Sequence, residues 1–414
     1  MRVLFTVSNW PGHWASMVPL GWALQAAGHE VNVLCTPCQT QPVSNAGLMP
    51  APVLEAMDMT VRGRLHNFRM AEFGAWPFSE LPPHPLTGKP LDSLDEFDMA
   101  AWSRENHDWA IGVTTRSSDA AVEFARRWLP DLVVHDLMSF EGPLIGKVLD
   151  IPALLQLWGP VGPDDEVPGA PPGASFVPTD PSGAFARYGV GEMGPHVYEH
   201  VIDPSPVSAR PPLKAERLSV RHVPYNGPGA RPPREESGSA GAPRVCVVWG
   251  TSVSGIYGPV SFAVPRIVRA LAGLGAEVLV LLAGADRERM ERAGALPPGV
   301  RLMERTPLHL LVPGCDLVIH HGGAGCAMTA LAAGVPQLAL YTGLDQEVIA
   351  GRLAGAGAAR AVPNAQADAE AIRAAVTSLL TDPACSSAAR RLREEMESQP
   401  TPAALVSSLS ALAQ

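Results

Sequence analysis

The sequence predicts an α/β protein made of two doubly wound, Rossmann-like halves, and three observations carry that prediction. A strand, a helix and a strand follow one another within the first 35 residues. The same alternation starts afresh near residue 245, and a stretch rich in proline and glycine separates the two series. A chain of 414 residues is also longer than one ordinary core supports, so two domains of roughly 200 residues each are expected.

The elements follow in order. Val3 to Val7 is a short apolar run. After a polar turn, Met17 to Ala27 carries apolar residues at 17, 20, 24 and 27, the helical period, and Gly28 ends it. Val31 to Leu34 reads as a buried strand. Residues 40 to 125 are helix-prone but poorly periodic, with Pro and Gly clusters around 77 to 90. Strands return at Asp131 to His135 and Ala153 to Leu157, and Gly159 to Pro181, crowded with Pro, Gly and Asp, is expected to be loop. Residues 204 to 243 read as the joint, since Arg231-Pro232-Pro233-Arg234 and Gly238-Ser239-Ala240-Gly241 fall together and no apolar periodicity survives. The second series gives strands at Val245 to Val248, Glu277 to Leu282, Leu317 to Ile319 and Gln337 to Leu340, with helices at Val264 to Leu274 and Met328 to Ala333. The expected division is a first domain over 1–220, a linker over 221–243, a second domain over 244–395, and a C-terminal helix over 396–414 that packs back on the first domain. Such domains bind ligands at the carboxyl ends of their strands, and two of them joined by one linker imply a cleft.

Composition narrows the function. The chain is 46% hydrophobic and 17% charged, as a soluble globular protein is. A formal charge of -10 and a pI near 5.6 exclude a nucleic-acid footprint and give no attraction to an anionic membrane. No apolar run approaches the roughly 20 residues that span a bilayer. Ser8 and Asn9 come too early for a signal-peptide core, so cytoplasmic residence is expected. The six cysteines are expected to be free thiols in that compartment. Cys35 and Cys38 form a CxxC pair without a thioredoxin-like helix or a second ligand pair, and read as small apolar residues at a strand end. Arg126-Arg127 and Arg390-Arg391 read as solvated helix faces.

Chemistry concentrates at two places. In Leu317-Val318-Ile319-His320-His321-Gly322-Gly323-Ala324-Gly325-Cys326 a buried strand runs into two histidines and three glycines, and a helix follows. Glycines admit a ligand close to the backbone, and a helix N-terminus offers unpaired N–H groups and a positive dipole end. That suits a diphosphate, although the turn alone would also serve packing. Gly334-Val335-Pro336-Gln337 and Asp345-Gln346 follow, an acid and an amide able to read sugar hydroxyls. The second place is Gly12-His13, after the first strand. A histidine titrating near ~6.5 suits a general base at neutral pH. Asp136, ending Val133-Val134-His135-Asp136, is a second strand-end residue, and a carboxylate can orient an imidazole. The bland alternatives are a polar surface histidine and a carboxylate that caps a helix. His29, His135, His309 and His320 read as structural or peripheral, His320 lying behind His321. Ser8-Asn9-Trp10-Pro11-Gly12-His13 stands where a dinucleotide oxidoreductase would carry G-x-G-x-x-G, which disfavours that class.

With these motifs the sequence resembles the GT-B glycosyltransferases of family 1, whose donor signature runs H-x-G-x-x-[ST], G-V-P, D-Q. It is most similar to the actinobacterial branch that attaches deoxysugars to polyketides and other natural products. Val3-Leu4-Phe5, Val18-Pro19-Leu20, Ala26 to Val31, Val223 to Gly227 and Thr306 to Leu311 add to the resemblance, which spans both domains but is thin over 40–125 and 160–220. It implies an inverting, metal-independent transferase of GT-B fold, its two Rossmann-like domains facing across a cleft. The co-substrate would be a dTDP-deoxysugar and the acceptor a small-molecule aglycone, with no further cofactor. Some relatives need a P450-like activator protein, and a monomer or homodimer is expected.

By position, the resemblance makes His13 the base, supported by Asp136. His321 would contact the diphosphate within the loop Gly322, Gly323, Ala324, Gly325 and Cys326, with Gly323 giving its N–H. Gly250, Thr251 and Ser252 would close the other side, Pro307 and Leu308 would meet the nucleobase, and Asp345 and Gln346 would read the sugar. The chain departs from the pattern at Cys326 in place of Thr or Ser, where the backbone N–H would still serve the phosphate. It departs again at Tyr341 in place of Pro, at Ile349 in place of Asn (an apolar residue suited to a sugar lacking hydroxyls), and at Ser16 in place of Pro. Trp10 and Trp14 flank the base and form either packing or a floor for a flat acceptor. The competing readings are a catalytically weak GT-B scaffold acting as a binding or activating partner, and a sugar-nucleotide epimerase of GT-B form.

Overall fold

Short apolar runs suit strands buried on both faces, and such runs form the central strands of the two sheets of this chain. The structure is a computed structural model that describes residues 1–10, 12–230, 241–282, 284–292, 296–303 and 306–414. The Arg231-Pro232 and Gly238-Ser239 segments of the expected linker lie outside the described residues.

The first sheet contains β1 (Arg2–Thr6), β2 (Glu30–Leu34), β3 (Met49–Ala51), β4 (Leu132–His135), β5 (Ala153–Gln156), β6 (His200–Asp203) and β7 (Glu216–Ser219). The second contains β8 (Arg244–Val248), β9 (Glu277–Leu281), β10 (Val300–Met303), β11 (Leu317–His320), β12 (Gln337–Tyr341) and β13 (Ala359–Pro363). All pairings are parallel, in the orders β3-β2-β1-β4-β5-β6-β7 and β10-β9-β8-β11-β12-β13. Each order reverses once, between β1 and β4 and between β8 and β11. Registers align the strand ends there, Thr6 opposite His135 and Val248 opposite His320. At these reversals successive helices leave toward opposite faces of the sheet, which leaves a crevice beyond the carboxyl ends.

Strand side chains alternate between two packed layers. In the second sheet Val245, Val247, Val278, Val280, Leu317 and Ile319 join one apolar cluster, while Cys246, Leu279 and Val318 join the other. In the first, Val3, Phe5, Val31, Val33, Leu132 and Val134 share a core with Val18, Leu20 and Leu24 of the helix Val18–Ala26. The terminal helix Pro402–Leu412 adds Leu405, Val406 and Leu409 to that core. Its approach is tied down by Arg221 N–H to the Pro400 carbonyl at 2.7 Å and Gln399 Nε2 to the Ser205 carbonyl at 2.7 Å.

Two compact units emerge, residues 1–58, 104–228 and 395–414 in one, and 59–103 with 229–394 in the other. The units divide the chain differently from the expected domains: residues 59–103 group with the second sheet, and the expected linker over 221–243 is split after 228. Strands β3, β6, β7, β10 and β13 were not read as such, and β7 lies inside the segment taken as the joint. The helix expected at Met328 begins one turn earlier, spanning Ala324–Ala332. Residues 99–128, within the poorly periodic region, form one helix of 30 residues. Among the described residues no helix is long and apolar enough to cross a membrane.

Leu409 has no exposed surface, so Leu409→Ala opens a cavity beneath the terminal helix. It should lower the stability of the first unit by about 2–5 kcal/mol, read as an earlier thermal transition; an unchanged melting profile would contradict the packing.

Candidate active site

Each sheet carries one cluster of functional side chains, and each cluster sits at that sheet's reversal point.

In the first unit, Ser8 and His13 lie between the end of β1 and the 3₁₀ turn Trp14–Met17, which leads into the helix Val18–Ala26. Beside it, β4 delivers Asp136. The Asp136 carboxylate has no exposed surface and accepts two backbone bonds, from Ser8 N–H at 2.6 Å and from Met138 N–H at 2.8 Å. Burial raises its pKa to about 6, against the lowering effect of those donors. His13 Nδ1 lies 3.9 Å from Asp136 Oδ1 and 3.4 Å from Ser8 Oγ. The first distance brings an ion pair within reach without yet being a hydrogen bond. Burial holds the imidazole pKa down, to about 3, so the ring is neutral at pH 7 and has a free lone pair. The acceptor atoms on its Nδ1 side favour a proton there, leaving Nε2 as the basic nitrogen.

Two further contacts hold the ring. Trp158 stacks on it, with ring centroids 3.7 Å apart and planes 11° from parallel, and Trp10 lies at 5.7 Å on a tilt. Ser16, at the position where the family pattern has Pro, bonds its hydroxyl to the His13 carbonyl at 3.0 Å. The Ser16 carbonyl in turn accepts from Gln156 Nε2 of β5 at 2.8 Å. The histidine loop is therefore fastened to the neighbouring strand end.

Of the two tryptophans expected beside the base, only Trp10 is there. Trp14 is buried in the core with Val3 and Phe5 and faces Tyr225, because the turn of 3₁₀ helix points it into the sheet. Trp158 was missed. It follows β5 directly, and an aromatic just past a strand's carboxyl end was the signal available. His135 is buried, with its Nδ1 paired to the Asp136 carbonyl at 3.0 Å. His29 bonds the N-terminal amine at 3.1 Å.

The second cluster faces β8 and β11. The His321 ring is pressed between two glycine backbones. A Cβ at Gly250 would lie 2.7 Å from its Nε2, and one at Gly323 would lie 2.4 Å from its Cε1. Trp249 meets the ring edge-on at 5.9 Å. Burial, and secondarily the neighbouring His320, lowers the His321 pKa to about 3. Its buried Nδ1 has no hydrogen-bond partner among the described residues.

His320 lies behind it. Its Nε2 pairs with Gln337 Oε1 at 2.9 Å, and its Nδ1 accepts from Gly322 N–H at 3.0 Å. That bond fixes the turn in which Gly322 takes φ of +88°, where a Cβ would also strike the Cβ atoms of Gln346 at 3.0 Å and Tyr341 at 3.1 Å. Only glycine fits. Gly323 then starts the helix Ala324–Ala332, whose first N–H groups, at Ala324 and Gly325, have no helical acceptor. An anion placed there meets aligned donors and the dipole's positive end.

The remaining predicted residues fall as follows. Cys326 turns its thiol against the apolar cluster of Cys246 and Leu279, and burial raises its pKa to about 12. Its N–H, expected to serve the phosphate, donates to the Gly323 carbonyl at 3.1 Å. Gln346 Oε1 accepts from Thr342 N–H at 3.0 Å and Gly343 N–H at 3.2 Å, so only its amide N–H groups remain for a ligand. Asp345 lies in the first turn of the helix Leu344–Gly355, its pKa raised by burial. Ile349 has no exposed surface and packs inward, so it does not reach a sugar. Gly250 caps the short helix Thr251–Tyr257, which includes Ser252; the Thr251 side chain lies outside what the structure describes. Pro307 caps Leu308–Leu311, and Leu308 is buried, leaving backbone for contact there.

Comparison with known proteins follows the same outline. Residues 103–250 match the N-terminal domain, and 265–412 the C-terminal domain, of erythromycin biosynthesis protein CIII-like. Aklavinone 7-beta-L-rhodosaminyltransferase of Streptomyces galilaeus is 33% identical, with 100% of this chain and 96% of that protein covered. The structure of spinosyn forosaminyltransferase SpnP superposes with a TM-score of 0.75 at 30% identity, covering 100% of this chain and 99% of that one. That of spinosyn rhamnosyltransferase SpnG complexed with thymidine diphosphate gives 0.74 at 28% identity, covering 99% and 100%.

The stack on Trp158 has a direct signature. An indole face 3.7 Å away shields the imidazole protons, so Trp158→Leu should move the His13 Cε1–H resonance downfield. An unmoved resonance in the folded variant would remove Trp158 from the site.

Proposed function

The chain belongs to the erythromycin biosynthesis protein CIII-like family of actinobacterial deoxysugar glycosyltransferases, of GT-B fold, and from that premise we propose how it works. It transfers a deoxysugar from a thymidine diphosphate donor to a natural-product aglycone of polyketide type, with inversion and without a divalent metal. His13 is the general base and the loop from His321 to Gly325 grips the diphosphate. The thymidine diphosphate complex of SpnG supports the choice of nucleotide.

One observation carries the reaction: a neutral imidazole stands 3.9 Å from a buried carboxylate at the ligand-binding end of a parallel sheet. His13 Nε2 takes the proton of the acceptor hydroxyl as its oxygen bonds to the anomeric carbon. The bond from that carbon to the diphosphate oxygen breaks, and the nucleoside diphosphate leaves with the electron pair. The imidazolium that forms is stabilised by the Asp136 carboxylate and by the Trp158 face, the second a cation–π contact. The N–H groups of Ala324 and Gly325, the helix dipole and His321 stabilise charge on the departing diphosphate, which is the task a metal performs elsewhere. Diphosphate beside His321 favours its protonated form, so the low pKa of the free site rises on binding. The presence of His13 speaks against the inactive-scaffold reading, and the transferase relatives speak against the epimerase.

Mass spectrometry of the purified chain with a panel of thymidine diphosphate sugars and aromatic polyketides tests the whole reading. Glycosylated product is expected, and no product with any donor, acceptor or added activator would sink it. His13→Ala should lower turnover by about 10²–10⁴-fold with nucleotide affinity nearly unchanged; wild-type turnover would remove His13 as base.

Asp136 fixes the pH dependence. Its carboxyl is neutral below its raised pKa of about 6 and charged above it, and only the charged form supports the imidazolium. kcat/KM should therefore fall as pH drops through about 6. Asp136→Asn should be slow at every pH and lack that limb. A variant that retained the limb would assign it to another group.

A further inference from the structure

Residues 59–103, from the first half of the chain, group with the sheet that carries His321 and bear on the short helix next to it. That helix, Thr251–Tyr257, has only seven residues, too few to hold its own direction. One end is Gly250, against which the His321 ring rests. At the other end is Tyr257, whose hydroxyl would lie 3.2 Å from a Cβ at Gly343, just before Asp345 and Gln346. The helix thus runs from the diphosphate contact to the residues expected to read the sugar.

In its last turn the Ser254 carbonyl accepts from Gly258 N–H at 3.1 Å, but the Gly255 and Ile256 carbonyls lack helical donors. The donors come from the helix Met59–Glu72. Arg64 Nε bonds the Gly255 carbonyl at 2.7 Å, and the buried amide of Asn67 bonds the Ile256 carbonyl at 3.2 Å. Next to Arg64, Gly63 lies so close to Ile256 that a Cβ would fall 2.8 Å from its Cγ2. Further on, Trp76 lies parallel to the Tyr257 ring, centroids 6.0 Å apart at 15°, with its indole N–H bonded to the Glu80 carbonyl at 2.7 Å. Pro83 abuts Gly258. From the opposite side Ser254 Oγ bonds Asp286 Oδ2 at 2.6 Å.

We propose that residues 59–103 are a positioning element of the donor site: Arg64, Asn67 and Trp76 set the helix Thr251–Tyr257, and through it the placement of Gly250 against His321. The proposal rests on the donor-site reading above. Donor affinity is then encoded partly in the first half of the sequence, and nucleotide binding and the order of this segment are linked in both directions.

The probe is thymidine diphosphate itself, followed by calorimetry and by hydrogen exchange of the full-length protein. The double variant Arg64→Ala/Asn67→Ala should bind it about tenfold more weakly. Arg64→Lys, which keeps a donor, should stay close to wild type. In the wild-type protein the nucleotide should slow amide exchange across 59–72 as well as 251–257. Unchanged exchange over 59–72 overturns the proposal, even if the double variant fails to fold. Wild-type affinity in a double variant that melts normally overturns it equally. His321→Ala in the same titration separates the two ideas: if it too binds normally, the donor-site reading itself is what fails.

Discussion

Parallel pairing across a reversal of strand order is the constraint on which everything else here depends. β1 beside β4, and β8 beside β11, each lie where neighbouring crossovers go to opposite faces of the sheet. The strand ends cannot be covered there by a connecting helix. Residues one or two positions past those ends are consequently brought together from distant parts of the chain, Ser8 with Asp136 and Gly250 with His321. The registers do the placing; the side chains only have to be of the right kind. One geometry thus gathers an imidazole and a carboxyl in one unit, and an imidazole with a helix N-terminus in the other.

The two sites use burial differently. In the first, desolvation keeps the imidazole neutral and raises the carboxyl to about 6, so a proton arriving on the ring would find a carboxylate beside it above that pH. In the second, it leaves a neutral ring wedged by glycines, with His320 and Gln337 locking the turn behind it. An anion seated there would meet mostly backbone N–H groups. This explains how Cys326 is tolerated: its side chain belongs to the apolar layer, its N–H closes the first helical turn, and the free donors are those of the two residues before it.

Much of this was legible in the sequence because buried parallel strands are continuous apolar runs, and glycine and histidine past their ends stand out. The strands that escaped are short or half exposed. β3 has three residues, one of them Pro50, and β7 runs Glu216-Arg217-Leu218-Ser219 with no buried residue, so neither shows a hydrophobic period. β7 exists because β6 offers it an edge and Arg217 pairs with the buried Asp203. Ser16 and Trp158 were equally opaque. Their roles depend on where a turn points and on which strands are neighbours, and neither is written locally. Trp14 takes the packing role, one of its two readings, since proximity in sequence to His13 does not decide which face of the turn a ring occupies.

The grouping of residues 59–103 with the second sheet bears on recombination. Exchanging halves between related chains at the proline-rich linker looks natural from the order of elements. It would leave Arg64 and Asn67 on one parent and the Gly255 and Ile256 carbonyls on the other. A transplant that keeps these two bonds would have to carry the early segment along with the later half, as two pieces of sequence inherited together.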